Sequence, residues 1–263
     1  MKKSKKGKSK EVIQGILIGP KCEDKEKTLQ ITEKFKAGES VDGYLWIKFD
    51  PKFKGGDNLD RLIDGHKRLI KKEPENALAW KSLGNIYEMK QDIDNALGAY
   101  KKELEINPEN ADSWYHIGTV YGNNKDVENE IKCYKKALVI NPRYLDAWFN
   151  LGIAYVEINE IAKSIESYKK ALEVDPTDIK LWNNLGTTYQ KNNDYQKSIE
   201  SFKKGLELKP NDIRILNNLG FSYAKNKDLE MAKKCYNDVI KLDSNNANAL
   251  KNLKIIDGII NDD

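Results

Sequence analysis

The chain has 263 residues, of which 39% are hydrophobic and 33% are charged. No apolar run approaches the ~20 residues that a membrane-spanning helix needs, so the sequence predicts no membrane span. The formal net charge of +4 comes from six lysines within residues 1–10, because 41 acidic residues slightly outnumber the other 39 basic ones. The composition therefore excludes a basic fold and leaves a basic tail.

The N-terminal 58 residues combine this tail with a segment of mixed character. Residues 1–10 are predicted to be a disordered, Lys-rich tail, since they lack the apolar stretch of a secretory signal. Residues 12–18 and 44–49 have strand-like compositions, and a helix is predicted at about 24–36. Residues 11–58 are therefore either a small α/β cap or an irregular extension, and both interpretations remain open.

From residue 77 onward the sequence repeats with a period of 34. The tryptophans that set this frame are Trp80, Trp114, Trp148 and Trp182. Each is followed by Leu or Ile at +3, by Gly at +4 and by Tyr at +7, so the apolar positions share one face of a helix. A later aromatic recurs in each unit, at Tyr100, Tyr134, Tyr168, Phe202 and Tyr236. Such a period indicates a stack of supersecondary units, none of which can bury its apolar face alone.

The Trp–Leu–Gly–Tyr run, the later aromatic and a closing proline together resemble the tetratricopeptide repeat, a helix–turn–helix unit. The resemblance covers residues 77–244 and implies an all-α fold, a right-handed α-solenoid of five full repeats. Residues 59–76 then correspond to a degenerate half repeat, and residues 245–260 to a capping helix that is apolar inward and charged outward. Recurring aspartates before each second helix are predicted N-caps, with Glu160 as a poorer cap.

No motif for catalysis or metal binding is present in the sequence. It contains no Gly-rich phosphate loop, no metal-ligand spacing and no nucleophile elbow. His66 and His116 stand alone, and Cys22, Cys133 and Cys235 do not have the spacing of a metal site. We therefore expect no enzyme activity, no cofactor, no metal and no small-molecule substrate. The cysteine usage predicts a cytoplasmic location.

The resemblance places the binding surface on the concave face, which the first helices of stacked repeats line. In this family the second, fifth, sixth, ninth and thirteenth positions of each unit face the groove, counted here from Ala77, Ala111, Leu145, Ile179 and Ile213. The candidate peptide-binding residues are Tyr115, Phe149, Asn150, Ile153, Lys180, Asn183, Asn184, Thr187, Lys191, Arg214, Asn217, Asn218 and Lys225.

These residues predict a protein partner with a particular chemistry. The asparagines could pair with the backbone of an extended segment, although Asn is also simply common at this repeat position. The C-terminal half of the groove is basic, and Tyr115, Phe149 and Ile153 add apolar bulk, so we expect an apolar side chain followed by acidic residues. The alternative for Phe149 is packing against neighbouring helices.

The same positions of the groove also bear on other functions known for this family. Lys81 and Asn85 match the first pair of the family's carboxylate clamp for chaperone tails, but Asp146 stands where a cation is needed and would repel a carboxylate. The leading prediction is a scaffold that holds an extended or helical segment of another protein. Two alternatives remain open: an RNA- or ribosome-associated factor that binds weakly through the Lys-rich tail, and a self-assembling structural solenoid.

One residue in the second repeat breaks the repeat pattern. Glu130 takes the place of a small residue that faces the glycine of the paired helix in other repeats. A carboxylate there must reach solvent or be desolvated, so Glu130→Ala is expected to raise stability by about 1 kcal/mol.

Overall fold

The computed structural model describes residues 15–18, 45–48 and 55–262, with side-chain environments for residues 59–259. The chain divides into two compact units, unit 1 comprising residues 1–124 and unit 2 residues 125–263. Among the described residues, no helix is long and apolar enough to cross a membrane.

The described residues of unit 1 form a short sheet and four helices. Strands β1 (Gly15–Ile18) and β2 (Leu45–Lys48) pair antiparallel, with Ile16 opposite Ile47, inside the two segments of strand-like composition. The helices are α1 (Gly55–Lys72), α2 (Ala77–Met89), α3 (Ile93–Ile106) and α4 (Ala111–Asn123). The predicted helix at 24–36 and the lysine tail at 1–10 lie outside the described residues.

Helix α1 covers the residues that the sequence assigns to a degenerate half repeat. It packs against α2, as the second helix of a preceding unit would. His66 occupies the position of the later aromatic in this helix, is fully buried, and has its Nδ1 atom 2.8 Å from the carbonyl oxygen of Leu62. The burial of this ring lowers the pKa of His66.

Unit 2 consists of eight helices over its described residues. They are α5 (Val127–Ile140), α6 (Leu145–Glu157), α7 (Ile161–Val174), α8 (Ile179–Lys191), α9 (Tyr195–Leu208), α10 (Ile213–Lys225), α11 (Leu229–Leu242) and α12 (Ala247–Asp262). Helices α6, α8 and α10 pair with α7, α9 and α11, and α12 packs on α11. This is the helix-pair architecture of the predicted α-solenoid.

The close approach of the paired helices explains why the repeats share a glycine in the first helix and an aromatic residue in the second. A Cβ atom added to Gly152 would lie 2.6 Å from the Tyr168 ring, and one added to Gly186 would lie 2.6 Å from the Phe202 ring. Both rings are almost completely buried. The glycine therefore provides the space that the aromatic of the second helix fills, and any larger residue would separate the pair.

The helix caps follow the sequence prediction. Asp126, Asp194 and Asp228 each accept a hydrogen bond from the backbone N–H three residues on, at 3.1–3.2 Å. Glu160 makes no side-chain cap hydrogen bond, as expected of a longer carboxylate at this position.

The outward face of α12 differs from the prediction of a purely charged cap. Ala249 and Ile256 are buried, but Leu250, Ile255 and Ile259 are 41%, 51% and 45% exposed. Leu250 takes the tryptophan position of the repeat frame, and within the described residues no second helix follows to cover it. The prediction of an apolar inner face and a charged outer face was wrong on this point, because Leu250, taken as an inward residue of the repeat frame, is exposed.

Candidate functional site

Helices α6, α8 and α10 are the first helices of three successive repeats in unit 2. We call the side that carries their second, fifth, sixth, ninth and thirteenth positions the first-helix face of unit 2. All the candidate residues except Tyr115 lie on it, because Tyr115 belongs to α4 in unit 1. These positions fall within one sector of a helix that turns about 100° per residue.

The asparagines of this face have hydrogen-bond partners within the protein. Asn184 is hydrogen-bonded to the hydroxyl of Tyr168, whose pKa is raised to about 12 by burial. Asn252 is bonded in the same way to Tyr236. At the intervening position the later aromatic is Phe202, which has no hydroxyl. Structural need therefore accounts for part of the asparagine pattern, in line with the alternative left open by the sequence.

The other asparagine side chains on this face also form hydrogen bonds, but some of their donor and acceptor atoms are unused. Asn218 Nδ2 donates to Asn183 Oδ1 at 3.1 Å, which links α10 to α8. Asn217 Nδ2 donates to the Ile213 carbonyl at 3.1 Å, while its buried Oδ1 atom has no hydrogen-bond partner among the described residues. The Thr187 hydroxyl donates to the Asn184 carbonyl at 2.9 Å. Only the unused amide atoms, such as Asn183 Nδ2, are left for a ligand.

Phe149 is mainly a packing residue. Its ring is half-buried and meets the Tyr168 ring edge-on, with centroids 6.2 Å apart and planes at 65°. Asn150, next to it, is half-buried as well. Ile153 is 36% exposed and keeps its apolar surface available.

Phe221 in α10 is an apolar residue of this face that the sequence interpretation missed. It is 41% exposed, and the Lys225 Nζ atom lies 5.6 Å from the centroid of its ring. Phe221 holds the ninth position of its unit, as Ile153 and Thr187 do. The signal was therefore in the repeat frame, since a large aromatic at a groove-facing position is an anchor candidate.

Most of the cationic side chains on this face have no ion-pair partner among the described residues. Lys180, Lys191 and Lys225 are exposed, and none has an ion-pair partner among the residues the structure describes. Arg214 lies 3.4 Å from the Asp212 carboxylate, yet its side chain is 69% exposed. This half of the array therefore presents positive charge next to exposed apolar side chains.

On the corresponding side of unit 1, polar side chains form hydrogen bonds with one another. The Glu88 carboxylate accepts hydrogen bonds from Tyr100 and Thr119 at 2.7 Å, and His116 Nδ1 lies 3.2 Å away. Burial alone would raise the pKa of Glu88, but hydrogen bonds from His116, Thr119 and Tyr100 outweigh it and hold that pKa below its usual value. The predicted residue Tyr115 packs edge-on against His116, with ring centroids 5.4 Å apart.

Both residues that match the carboxylate clamp also belong to this network. Lys81 forms an ion pair with Asp112, and the Asn85 amide oxygen lies 2.7 Å from the Tyr100 hydroxyl. Because these groups are already engaged, they support the expectation that this unit does not clamp a terminal carboxylate.

Family models of the tetratricopeptide repeat match residues 77–110, 99–132, 127–159, 154–193, 179–212 and 213–246. The chain belongs to the tetratricopeptide repeat family. No curated protein is significantly similar to the whole sequence. Within the described part of this repeat protein, no group of three or more His, Cys, Asp or Glu side chains could hold a metal ion.

Several solved structures share this arrangement of helices. YrrB, described as a TPR protein with an unusual peptide-binding site, is 20% identical with a TM-score of 0.65 over 73% of this chain and 99% of its own. A MamA protein is 25% identical with a TM-score of 0.59 over 63% of this chain and 90% of its own. The C-terminal part of a TPR protein from Cytophaga hutchinsonii is 21% identical with a TM-score of 0.63, covering 71% and 74%. These similarities establish the fold.

Proposed function

We propose that this tetratricopeptide repeat protein is a non-catalytic scaffold that binds an acidic segment of another protein through the first-helix face of unit 2. Membership of the family supports a protein-binding role. The peptide-binding site named for YrrB, which has the same fold, supports a peptide as the ligand.

The observation that carries the proposal is the set of unpaired cations beside exposed apolar groups. Lys180, Lys191 and Lys225 lack ion-pair partners among the described residues, and Phe221 is 41% exposed next to Lys225. The exposed Phe221 ring beside Lys225 gives this face apolar surface next to positive charge, which favours a ligand that is both apolar and acidic.

The geometry favours a particular order of contacts. An apolar side chain of the partner would pack against Phe221, and its carboxylates would approach the lysines and Arg214. The unused Asn183 amide group would then bond to the partner's backbone. Relative to the sequence prediction, the apolar anchor moves from Phe149, which packs internally, to Phe221.

Charge reversal tests the proposal. Proteins captured by the wild-type chain are identified by mass spectrometry, and their affinities are measured for Lys180→Glu/Arg214→Glu and for Phe221→Ser. We expect the double reversal to slow association and to weaken binding most at low salt, because long-range attraction is lost. Lys203→Glu/Lys234→Glu, on second helices of the same unit, is the matched control. Unchanged binding by both test variants would place the site elsewhere.

A second candidate function is self-association through the C-terminal helix. Leu250, Ile255 and Ile259 leave apolar surface on α12 uncovered by the described residues. Light scattering after size exclusion tests it: Leu250→Lys/Ile255→Lys should shift an oligomer to a monomer. A wild-type monomer at high concentration would exclude it.

A further inference from the structure

Unit 2 has a cleft on the side opposite to its first-helix face. The cleft has a volume of about 830 Å³ and lies between α7 and α9, with α8 as its floor. Its apolar lining is formed by Leu172, Pro176, Trp182, Leu185 and Tyr189. This size and lining are those of a typical ligand-binding cleft.

Helix geometry shows that the cleft is separate from the site proposed above. Trp182, Leu185 and Tyr189 hold the fourth, seventh and eleventh positions of α8, whereas the first-helix face carries Lys180 and Asn183 at the second and fifth. With about 100° per residue, the two sets point to opposite sides of the helix. A ligand in the cleft would therefore leave the first-helix face free.

Two lysines converge over the aromatic floor of the cleft. Lys169 from α7 and Lys197 from α9 place their Nζ atoms 6.0 and 5.8 Å from the centroid of the Tyr189 ring. Lys197 also pairs with Asp194 at 2.7 Å, but Lys169 has no ion-pair partner among the described residues. Lys204 lines the same cleft and is paired with Glu207 at 2.8 Å.

The acidic residues of the lining offset this charge only in part. Glu173 is paired with Lys170 at 2.9 Å, and Glu200 accepts a hydrogen bond from Gln196 at 3.3 Å. The hydrogen bond from Lys197 to Asp194, together with the charges of Asp194 and Glu200, raises the pKa of Lys197. Lys169 is therefore the ammonium group over Tyr189 that has no ion-pair partner among the described residues.

The preceding repeat has the same arrangement with a more apolar rim. Lys135 and Lys163 both place their Nζ atoms 5.8 Å from the Tyr155 ring centroid. Val139, 82% exposed, stands where Glu173 lies in the next unit. A chain that crosses α7 would meet a second cationic and apolar patch one repeat away.

We propose that this cleft is a second protein-binding site, which takes an acidic segment carrying an aromatic side chain. The aromatic ring packs on the half-buried side chain of Trp182, and the flanking carboxylates reach Lys169 and Lys197 above the buried Tyr189. Since the site lies on the other side of α8, the proposal is independent of binding at the first-helix face.

The test uses a fluorescein-labelled peptide of defined chemistry, DDEFDDWEED, with the full-length protein. Fluorescence anisotropy measures its affinity in the Lys180→Glu/Arg214→Glu background, in which the first-helix face no longer attracts acidic segments, with and without Lys169→Glu/Lys197→Glu. We expect at least tenfold weaker binding when the cleft substitutions are added to this background. Two control peptides, one with Ser for Phe and Trp and one with Asn and Gln for the acids, should bind at least tenfold more weakly.

A direct readout identifies the surface and does not depend on the lysine variants. The indole N–H resonance of Trp182, assigned with Trp182→Phe, should shift when the peptide is added. The proposal is overturned if the added cleft substitutions leave the affinity unchanged, or if the Lys180→Glu/Arg214→Glu protein, whose cleft is intact, does not bind at millimolar peptide. It is also overturned if a ten-nucleotide uridine RNA shifts the Trp182 resonance and the peptide does not.

Discussion

A buried carboxylate in the second repeat shows how far one residue can depart from its repeat frame. Glu130 is 8% exposed and is hydrogen-bonded to Tyr134, one turn along α5. Burial raises the pKa of this carboxyl to about 7, and the charge of Glu157 adds to the effect. The sequence left open whether this carboxylate reaches solvent or is desolvated, and it gave no sign of the tyrosine partner.

The raised pKa predicts a pH-dependent stability. Between pH 4.5 and 7 the folded chain keeps the Glu130 proton, whereas the unfolded chain, whose glutamate has the ordinary pKa of 4.5, loses it. The stabilisation that this proton gives the folded state is therefore complete below pH 4.5 and is lost as the pH rises through 7. Between pH 5 and 8 the titration of Glu130 should lower the free energy of unfolding by about 2.5 kcal/mol. Urea denaturation of Glu130→Gln at both pH values should show it, as a difference from the wild type.

Glu128→Gln is the control for this prediction, since Glu128 is exposed on the same helix. It should keep the wild-type pH dependence. If the free energy of unfolding of Glu130→Gln depends on pH as strongly as that of the wild type, other groups cause the pH dependence. The stabilisation expected from Glu130→Ala remains a prediction, now offset by the loss of the Tyr134 hydrogen bond.

The single phenylalanine among the later aromatics offers a second residue-scale prediction. Tyr168 is bonded to Asn184, whereas Phe202 has no hydroxyl for Asn218. Phe202→Tyr should gain this bond and raise the free energy of unfolding by up to about 1 kcal/mol, and Tyr168→Phe should lower it by a similar amount. Thermal and urea unfolding measure both. Destabilisation by Phe202→Tyr would show that the cavity beside Gly186 cannot hold a hydroxyl.

At the scale of helices and turns, the sequence predicted most of the architecture because each repeat carries the same local signals. Aspartates mark helix starts, and glycine with the later aromatic marks the helix pair. Other features depend on contacts that no local pattern reveals. Two examples are the hydrogen bond between Asn184 and the Tyr168 hydroxyl and the internal packing of Phe149. The sequence therefore predicted the helix positions of the candidate residues but not these contacts.

The turns between paired helices provide an element-scale prediction. Lys227 has φ 64° and Asn159 has φ 60°, in the left-handed region that glycine and asparagine tolerate best. Lys227→Gly should raise the free energy of unfolding by about 0.5–1 kcal/mol, after the entropy gained by the unfolded chain is subtracted. Asn159→Gly is the matched control and should change stability little. Equal effects in both turns would contradict a strain at Lys227.

At the scale of the whole molecule, charge is distributed unevenly along the array. Unit 1 pairs its charges on the first helices, as Lys81 does with Asp112, while unit 2 leaves Lys180, Lys191 and Lys225 unpaired among the described residues. The sequence predicted a mildly acidic N-terminal half and a basic, amide-rich C-terminal half of the groove, but not which charges form pairs. It could not predict that unit 1 would use Glu88 and His116 to satisfy each other, since they lie 28 residues apart.

The lysine tail provides a prediction at the same scale. Residues 1–10 contain six lysines and no large apolar residue beyond the initial methionine, so deleting them should leave the melting temperature unchanged. The deletion should abolish any binding to RNA, measured by salt titration of a labelled oligonucleotide. Retained RNA binding would assign it to the folded repeats and would favour the nucleic-acid alternative.

The tryptophans that first revealed the repeat also make it possible to observe each repeat separately. The indole N–H groups of Trp80, Trp148 and Trp182 donate to the carbonyl oxygens of Pro74, Pro142 and Pro176, at 2.8–2.9 Å. Each bond joins the first helix of one repeat to the loop that closes the repeat before it. Because indole N–H resonances are few and well separated from the backbone amides, each bond is a spectroscopic reporter on one junction. Their loss, followed during denaturation, would reveal the order in which the junctions open.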